Sequence, residues 1–248
     1  MIGLAEPPSS LLQGAALFLD FDGTLVELAD TPDSILVPGG LADLLDRLSA
    51  RLGGRLALVS GRPIDDLDRH VGGAAIARSG SHGLELRLAG GTGRSTQAPE
   101  GLEQAQRSVA EFAASRPGLL AENKPAGVAL HYRLAPDLAD EVEQFMADLA
   151  SCTGLGIQHG KMVAELRAAG PDKGGALREL MAEPSFAGAR PVFVGDDLTD
   201  EHAFAAAAAM GGAGILVGPP RPTAASWRLA GVPEVALWLD RALETLGG

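Results

Sequence analysis

Four short runs in this chain are apolar along their length instead of at alternate positions: Ala15 to Asp20 up to its closing acid, Leu56 to Ser60, Pro191 to Gly195 and Gly214 to Val217. Successive side chains of a strand point to opposite faces, so such a run is stable only where both faces are covered. Between these runs lie stretches with helical spacing. Leu41, Leu44, Leu45, Leu48 and Leu52 fall on one face, and Gly53-Gly54 ends the pattern. Pro63 opens a short helix where its missing N–H is harmless. Asp172 is placed to cap a helix from Lys173 to about Met181, Thr199 to cap one through Met210, and Pro233 to Leu246 reads as a closing amphipathic helix. Ala74 to Ala77 is a candidate third strand. Buried strands alternating with helices predict an α/β fold, a Rossmann-like doubly wound parallel sheet. Ligands of such sheets bind at the carboxyl ends of the strands.

The middle of the chain carries a different pattern. Two helical stretches, about 100–114 and 136–150, are interleaved with alternating strands. Val128, Leu130, Tyr132 and Leu134 share one face, leaving His131 and Arg133 on the other; Met162, Ala164 and Leu166 share a face, leaving Lys161, Val163, Glu165 and Arg167 opposite. Strands of period two suit a sheet with one packed and one open face. Residues 85–168 are therefore expected to form an inserted α+β cap domain, with 1–84 and 169–248 making the core.

The charge balance, 20 basic against 32 acidic residues for a net −12, argues against a nucleic-acid partner. No run is long and apolar enough for a membrane span, no secretory leader is visible, and a single cysteine, Cys152, allows no internal disulfide. A cytoplasmic location and no obligate protein partner are expected. Only three of the basic residues are lysines: Lys124, Lys161 and Lys173. In a chain that uses arginine so freely, a lysine marks a place that wants a compact point charge.

The chemistry concentrates at strand ends. Asp20 and Asp22, with Gly23 and Thr24, follow the first buried run. Two aspartates two residues apart on a strand share a side, and close carboxylates repel unless a cation lies between them. Hard oxygen donors select Mg²⁺. The acidic group Asp196, Asp197, Asp200 and Glu201 follows another buried run; the last two also suit an ordinary helix start, which explains Asp196 and Asp197 poorly. Ser60 and Gly61 could offer a hydroxyl and backbone amides to a phosphate. Lys173 stands at a helix N-terminus, unfavourable for a cation unless an anion is near. Together these parts suit phosphoryl transfer to an enzyme carboxylate. Asp20 would attack phosphorus, and Asp22 would protonate the leaving alcohol and then deprotonate water. Mg²⁺ would be held by Asp20, the Asp22 carbonyl and Asp196, while Thr24, Ser60, Gly61 and Lys173 hold phosphoryl oxygens. Asp197 and Asp200 would orient Lys173 or metal-bound water.

In this order, DFDGTL, SGR, the lysine of DKGGAL and GDDLTDE resemble the four motifs of the haloacid dehalogenase superfamily of aspartate-nucleophile phosphatases. With ENK…HYR (Glu122 to Arg133) and GKMVAELR ahead of DKG, the chain is similar to the trehalose-6-phosphate phosphatase family along nearly its whole length; where that family usually carries proline after E-x-R, this chain has Ala168. The resemblance implies hydrolysis of trehalose 6-phosphate to trehalose and phosphate, with sucrose 6-phosphate or mannosyl-3-phosphoglycerate as alternative substrates within the class. It also implies a sugar-gripping cap face, which carries over to Glu122, Lys124, His131, Arg133, Lys161 and Glu165. Two rivals share some of these parts. A signalling receiver lacks an inserted domain and places its acidic pair early; a phosphosugar-binding regulator has no need of both Asp20 and Asp22. His82 falls where the core hands over to the cap, or serves as a turn histidine. His70, His159 and His202 show no metal-site spacing, and Cys152 has no activating neighbour.

Overall fold

The computed structural model describes residues 4–29, 34–72, 74–94, 99–168 and 172–247. The chain divides into two compact units, Met1–Arg94 with Pro171–Gly248, and Ser95–Gly170.

The first unit begins with β1 (Ala15–Leu19), α1 (Leu41–Arg51), β2 (Leu56–Val59), α2 (Ile64–Val71), β3 (Ala77–Gly80), β4 (Glu85–Arg87) and β5 (Gly93–Arg94). In the second unit come α3 (Leu102–Ala114), β6 (Leu120–Lys124), β7 (Gly127–His131), α4 (Ala139–Thr153), β8 (Gly156–Gly160) and β9 (Val163–Arg167). The chain then returns to the first unit through α5 (Lys173–Ala182), β10 (Arg190–Gly195), α6 (Glu201–Ala209), β11 (Ala213–Val217), β12 (Trp227–Leu229) and α7 (Val232–Gly247).

The large sheet has the order β12-β11-β10-β1-β2-β3-β4-β5, parallel from β12 to β3 and antiparallel beyond. Its central strands β1, β2 and β11, and β10 after Arg190, are apolar because both faces are covered. Leu17 and Leu19 of β1 pack with Leu45, Leu48 and Trp238 on one side, while Ala16 and Phe18 pack with Leu177, Phe193 and Phe204 on the other. The chain winds outward from β1 to β3, then from β10 to β12 in the opposite direction. The order therefore reverses between β1 and β10, the switch point at which doubly wound sheets bind ligands.

Several expectations shift. The third strand is Ala77–Gly80, not Ala74 to Ala77. Its Arg78 is buried because its guanidinium donates to the carbonyls of Ile76, Gly72 and Ala74 and pairs with Asp68 at 2.9 Å, so a charged residue occupies a position that apolar counting rejects. Residues 85–94 do not open the inserted unit; β4 and β5 extend the large sheet, which moves the division to 94/95. Thr199 does not cap α6. Asp197 and Asp200 form a reciprocal capping box around the turn that precedes it.

In the second unit, the antiparallel sheet β6-β7-β9-β8 packs one face on α3 and α4. Val128, Leu130, Tyr132, Ala164 and Leu166 meet Leu102, Val109, Val142 and Met146 there. Leu134 departs from the expected face and is exposed, since β7 ends at His131. Lys161 lies in the turn before β9 instead of on the strand, next to Met162 with φ 61°.

Gly214 of β11 tests how closely the second face of the large sheet is packed. A Cβ built there would lie 2.7 Å from Cδ1 of Phe204, which itself meets Phe193 edge-on with ring centroids 5.8 Å apart. Gly214→Ala is expected to lower stability by about 1–3 kcal/mol, the usual cost of overpacking. Chemical denaturation measures this, and an unchanged midpoint would show that the face has slack.

Candidate active site

At the carboxyl end of β1 the Asp20 N–H donates to the Val194 carbonyl of β10 at 2.9 Å, which fixes the residue at the switch point. The chain then turns at once. Leu25 and Val26 donate back to the Phe21 carbonyl, and Gly23 takes φ 75°. A side chain at Gly23 would overlap the carboxylate of Asp196, so the absence of a Cβ is what lets the loops after β1 and β10 meet. Thr24 is fully buried and its hydroxyl has no protein partner, an unusual state for a buried polar atom that must find one elsewhere.

Lys173, at the first turn of α5, reaches into the same place. Asp172 caps that helix by accepting from the Gly175 N–H at 2.8 Å. The buried Lys173 ammonium lies 2.9 Å from Asp20 Oδ1 and 2.7 Å from Asp200 Oδ1. Asp200 Oδ2 accepts from the Asp197 N–H at 2.8 Å, so both of its oxygens are engaged. The Asp197 carboxylate is turned into the capping box and does not touch Lys173, contrary to one expectation for it. Oxygens of Asp20, Asp196 and Asp200 lie within 4.8 Å of one another, all three residues buried.

Three buried carboxylates around one ammonium leave an excess of negative charge. Burial, reinforced by Asp200 and Asp196 and opposed by Lys173, holds the Asp20 carboxyl well above the ordinary carboxylate range. Burial alone would lower the Lys173 ammonium, but Asp20 and Asp200 outweigh it and hold it firmly protonated. A close set of hard oxygen donors with surplus negative charge fits a divalent cation such as Mg²⁺.

Two further motif residues adjoin this loop system. Ser60 follows β2, and its Oγ accepts from the Arg62 N–H at 3.1 Å. His82, in a turn where Ser81 and His82 both have positive φ, donates its N–H to the Ser60 carbonyl and sets its ring over Gly61, where a Cβ would lie 2.5 Å from Nε2. Asp22 does not point into the carboxylate cluster. It lies three residues beyond the end of β1, so strand parity with Asp20 does not hold, and its carboxylate is gripped by Arg62. The sequence marks Arg62 only as part of a phosphate-binding tripeptide; nothing in one sequence links it to an aspartate 40 positions earlier.

In the second unit, Glu122, Lys124, His131 and Glu165 gather on the sheet face opposite the helices, because β6, β7 and β9 pair in a register that aligns Glu122 with Ala129 and Ala129 with Glu165. Lys124 pairs with Glu165 at 2.5 Å, and His131 Nε2 lies 2.8 Å from Glu122. Burial alone would raise the Glu122 carboxyl, but the His131 hydrogen bond and Lys124 outweigh it and keep it low. Arg133 lies beyond the end of β7 and donates to the Lys161 carbonyl at 3.4 Å, so those two sit at one edge. Arg167, also on this face, donates to Gln158 at 2.8 Å, a pair the sequence does not single out.

The model of the trehalose-phosphatase family matches residues 18–233, which takes in both aspartate loops, Lys173 and the whole second unit. The chain belongs to the trehalose-phosphatase family. A relative in Sinorhizobium fredii, named probable trehalose-phosphate phosphatase, is 44% identical across 91% of this chain and 85% of its own length. The trehalose-6-phosphate phosphatase of Escherichia coli is 37% identical across 96% of this chain and 89% of its own. Among solved structures, the C-terminal domain of the Candida albicans trehalose-6-phosphate phosphatase shares the fold with a TM-score of 0.85, covering 98% of this chain and 99% of that one at 22% identity. As a member of this family of phosphatases the chain is a phosphoric monoester hydrolase, and no helix among the described residues is long and apolar enough to cross a membrane.

The crowding around Asp20 has a measurable cost. A carboxyl raised above its unfolded value contributes its full stability below the ordinary carboxylate range and loses it as pH rises through the raised value. Asp20→Asn is therefore expected to melt no lower than the wild type in mildly alkaline buffer free of divalent cations, with the difference shrinking as pH falls. Magnesium should raise the wild-type midpoint more than that of the variant. Calorimetric melting at two pH values reads both effects, and a variant several degrees less stable would mean that the Lys173 contact outweighs the carboxylate crowding.

Proposed function

We propose that this protein is a Mg²⁺-dependent phosphatase that hydrolyses trehalose 6-phosphate to trehalose and phosphate through an aspartyl-phosphate. The observation that carries the reading is the buried contact of Lys173 with Asp20 at the strand switch point. It occurs in a chain that aligns along nearly its full length with proteins named for that activity.

The chemistry follows from the placement of the groups. An Asp20 carboxylate oxygen forms a bond to phosphorus as the bond from phosphorus to the sugar oxygen breaks, and the proton for that oxygen comes from Asp22. Water then attacks phosphorus, its proton passes to Asp22, and the acyl-phosphate bond breaks to return the Asp20 carboxylate. Lys173, the buried Thr24 hydroxyl, Ser60 and the Gly61 amide hold the phosphoryl oxygens. Asp20, Asp196 and the main-chain carbonyl of Asp22 would hold Mg²⁺, which when bound offsets repulsion between the carboxylate and the phosphate and stabilises the spreading charge. Asp200 anchors Lys173, and Asp197 braces the loop that carries Asp196 and Asp200. The second unit serves as the specificity domain, with Glu122, Lys124, His131, Arg133, Lys161 and Glu165 contacting sugar hydroxyls. A single thiol suits a reducing cytoplasm.

Phosphate release from trehalose 6-phosphate, sucrose 6-phosphate, mannosyl-3-phosphoglycerate and glucose 6-phosphate, each with and without Mg²⁺, tests the reading. Turnover is expected to require the cation and to favour trehalose 6-phosphate; parity with glucose 6-phosphate overturns the substrate assignment. Asp20→Asn should reduce kcat by about a thousandfold or more, with no phosphoprotein formed; retention of a tenth of the activity rules out covalent catalysis by this residue.

Lys161→Ala is expected to raise KM for the sugar phosphate about tenfold while leaving KM for 4-nitrophenyl phosphate nearly unchanged. Equal changes on both substrates would remove Lys161 from sugar recognition.

A further inference from the structure

Arg62 is the charged residue at this site to which the proposed mechanism gives no task, and its geometry is specific. Its Nε donates to Asp22 Oδ2 at 2.7 Å and its Nη2 to Asp22 Oδ1 at 2.8 Å, a two-pronged grip that fixes the plane of the carboxylate as well as its position. The remaining arm, Nη1, donates to Asp66 Oδ2 at 2.6 Å on α2. The guanidinium is thus strung between the loop after β1 and a helix of the core. Its side chain is only 9% exposed, against 30% for Asp22. Burial alone would lower its basicity, but Asp22 and Asp66 outweigh that and keep it charged. All three guanidinium nitrogens are engaged by carboxylates.

Asp22 needs such an anchor. It follows the last residue of β1 by three positions, outside any strand, where its backbone makes an isolated bridge to Val26. A carboxyl that protonates a leaving alkoxide must sit within hydrogen-bond reach of it, and a misplacement of about 1 Å costs on the order of a hundredfold. Lysine could not substitute, because a single ammonium cannot hold both oxygens in a fixed plane.

We propose that Arg62 is a positioning residue that acts through Asp22, so that it matters in proportion to how much the leaving group needs a proton. The inference rests on the aspartyl-phosphate reading above. When the bond to an alkyl oxygen breaks, that oxygen takes the Asp22 proton together with the bonding pair. When the leaving group is 4-nitrophenolate, it departs as a stable anion and needs none. A residue that bound phosphate directly would instead serve both esters alike.

Rapid-quench single turnovers of the full chain with Mg²⁺ separate these cases, using trehalose 6-phosphate and 4-nitrophenyl phosphate with wild type, Arg62→Ala, Arg62→Lys, Asp22→Asn and the Asp22→Asn/Arg62→Ala double variant. Arg62→Ala should slow phosphoryl transfer from the sugar phosphate about a hundredfold and from the aryl phosphate less than about fivefold. The amplitude of the 4-nitrophenol burst counts the folded sites in each preparation. Arg62→Lys should resemble Arg62→Ala on the sugar phosphate. The double variant should be no slower than Asp22→Asn alone, since a residue acting through Asp22 has nothing left to position. Equal slowing on both esters, wild-type rates for Arg62→Lys, or a further loss in the double variant each overturns the proposal. If the wild type itself forms no hydroxylamine-sensitive phosphoprotein from either ester, the covalent reading fails first and takes this inference with it.

Discussion

One ammonium held between two buried carboxylates, with a third close by, is the constraint around which the rest of the core is arranged. Lys173 is almost fully buried and contacts Asp20 and Asp200, while Asp196 approaches from the loop after β10. Burying this many charges without full compensation is costly. The fold tolerates it because each carboxylate is delivered by the end of a rigid, doubly covered strand or by the turn that follows one. The order of the sheet reverses between β1 and β10, so the crevice at their carboxyl ends has no crossover helix above it. A cation at the head of α5 opposes the helix dipole; Asp20 and Asp200, on the other side of that charge, make the position favourable.

Much of this arrangement is readable from the chain alone, and the reason is physical. β1, β2, β10 and β11 are apolar on both faces because both faces are buried, and such runs have few other uses in a sequence of this length. The motifs that end them stand out because charge directly after a buried strand is rare without a purpose. Legibility fails where burial depends on partners remote in sequence. β6 and β8 are the two outer strands of the smaller sheet, partly exposed and mixed in polarity, so no period marks them. β3 begins late because Arg78 is buried by hydrogen bonds to carbonyls, which composition cannot report. The grip of Arg62 on Asp22 spans 40 residues and two loops, and strand parity points Asp22 the wrong way because the strand has already ended.

The second unit manages its charges differently. On its polar face Lys124 is paired with Glu165, and Glu122 with His131. These pairs are more exposed than the Lys173 cluster. A hydroxyl, which both donates and accepts, can insert between such partners, accepting from the nitrogen and donating to the carboxylate. Paired donors and acceptors thus match the sugar role proposed for this face, whereas the surplus negative charge of the core matches the cation proposed there.

Asp20 and Asp22 are separated by one residue, yet their surroundings differ in the way that the two roles proposed for them require. Asp20 is buried beside a point charge, Lys173, which touches one of its oxygens. Asp22 is partly exposed and held at both oxygens by the planar fork of Arg62, which sets its direction while leaving it reachable by solvent. A nucleophile needs a bare oxygen in a dry place; a proton carrier needs a fixed orientation and contact with water. In a chain that has 17 arginines and three lysines, the lysine stands where compactness matters and the arginine where orientation does. The choice between the two cations therefore matches the two roles proposed for a single short loop.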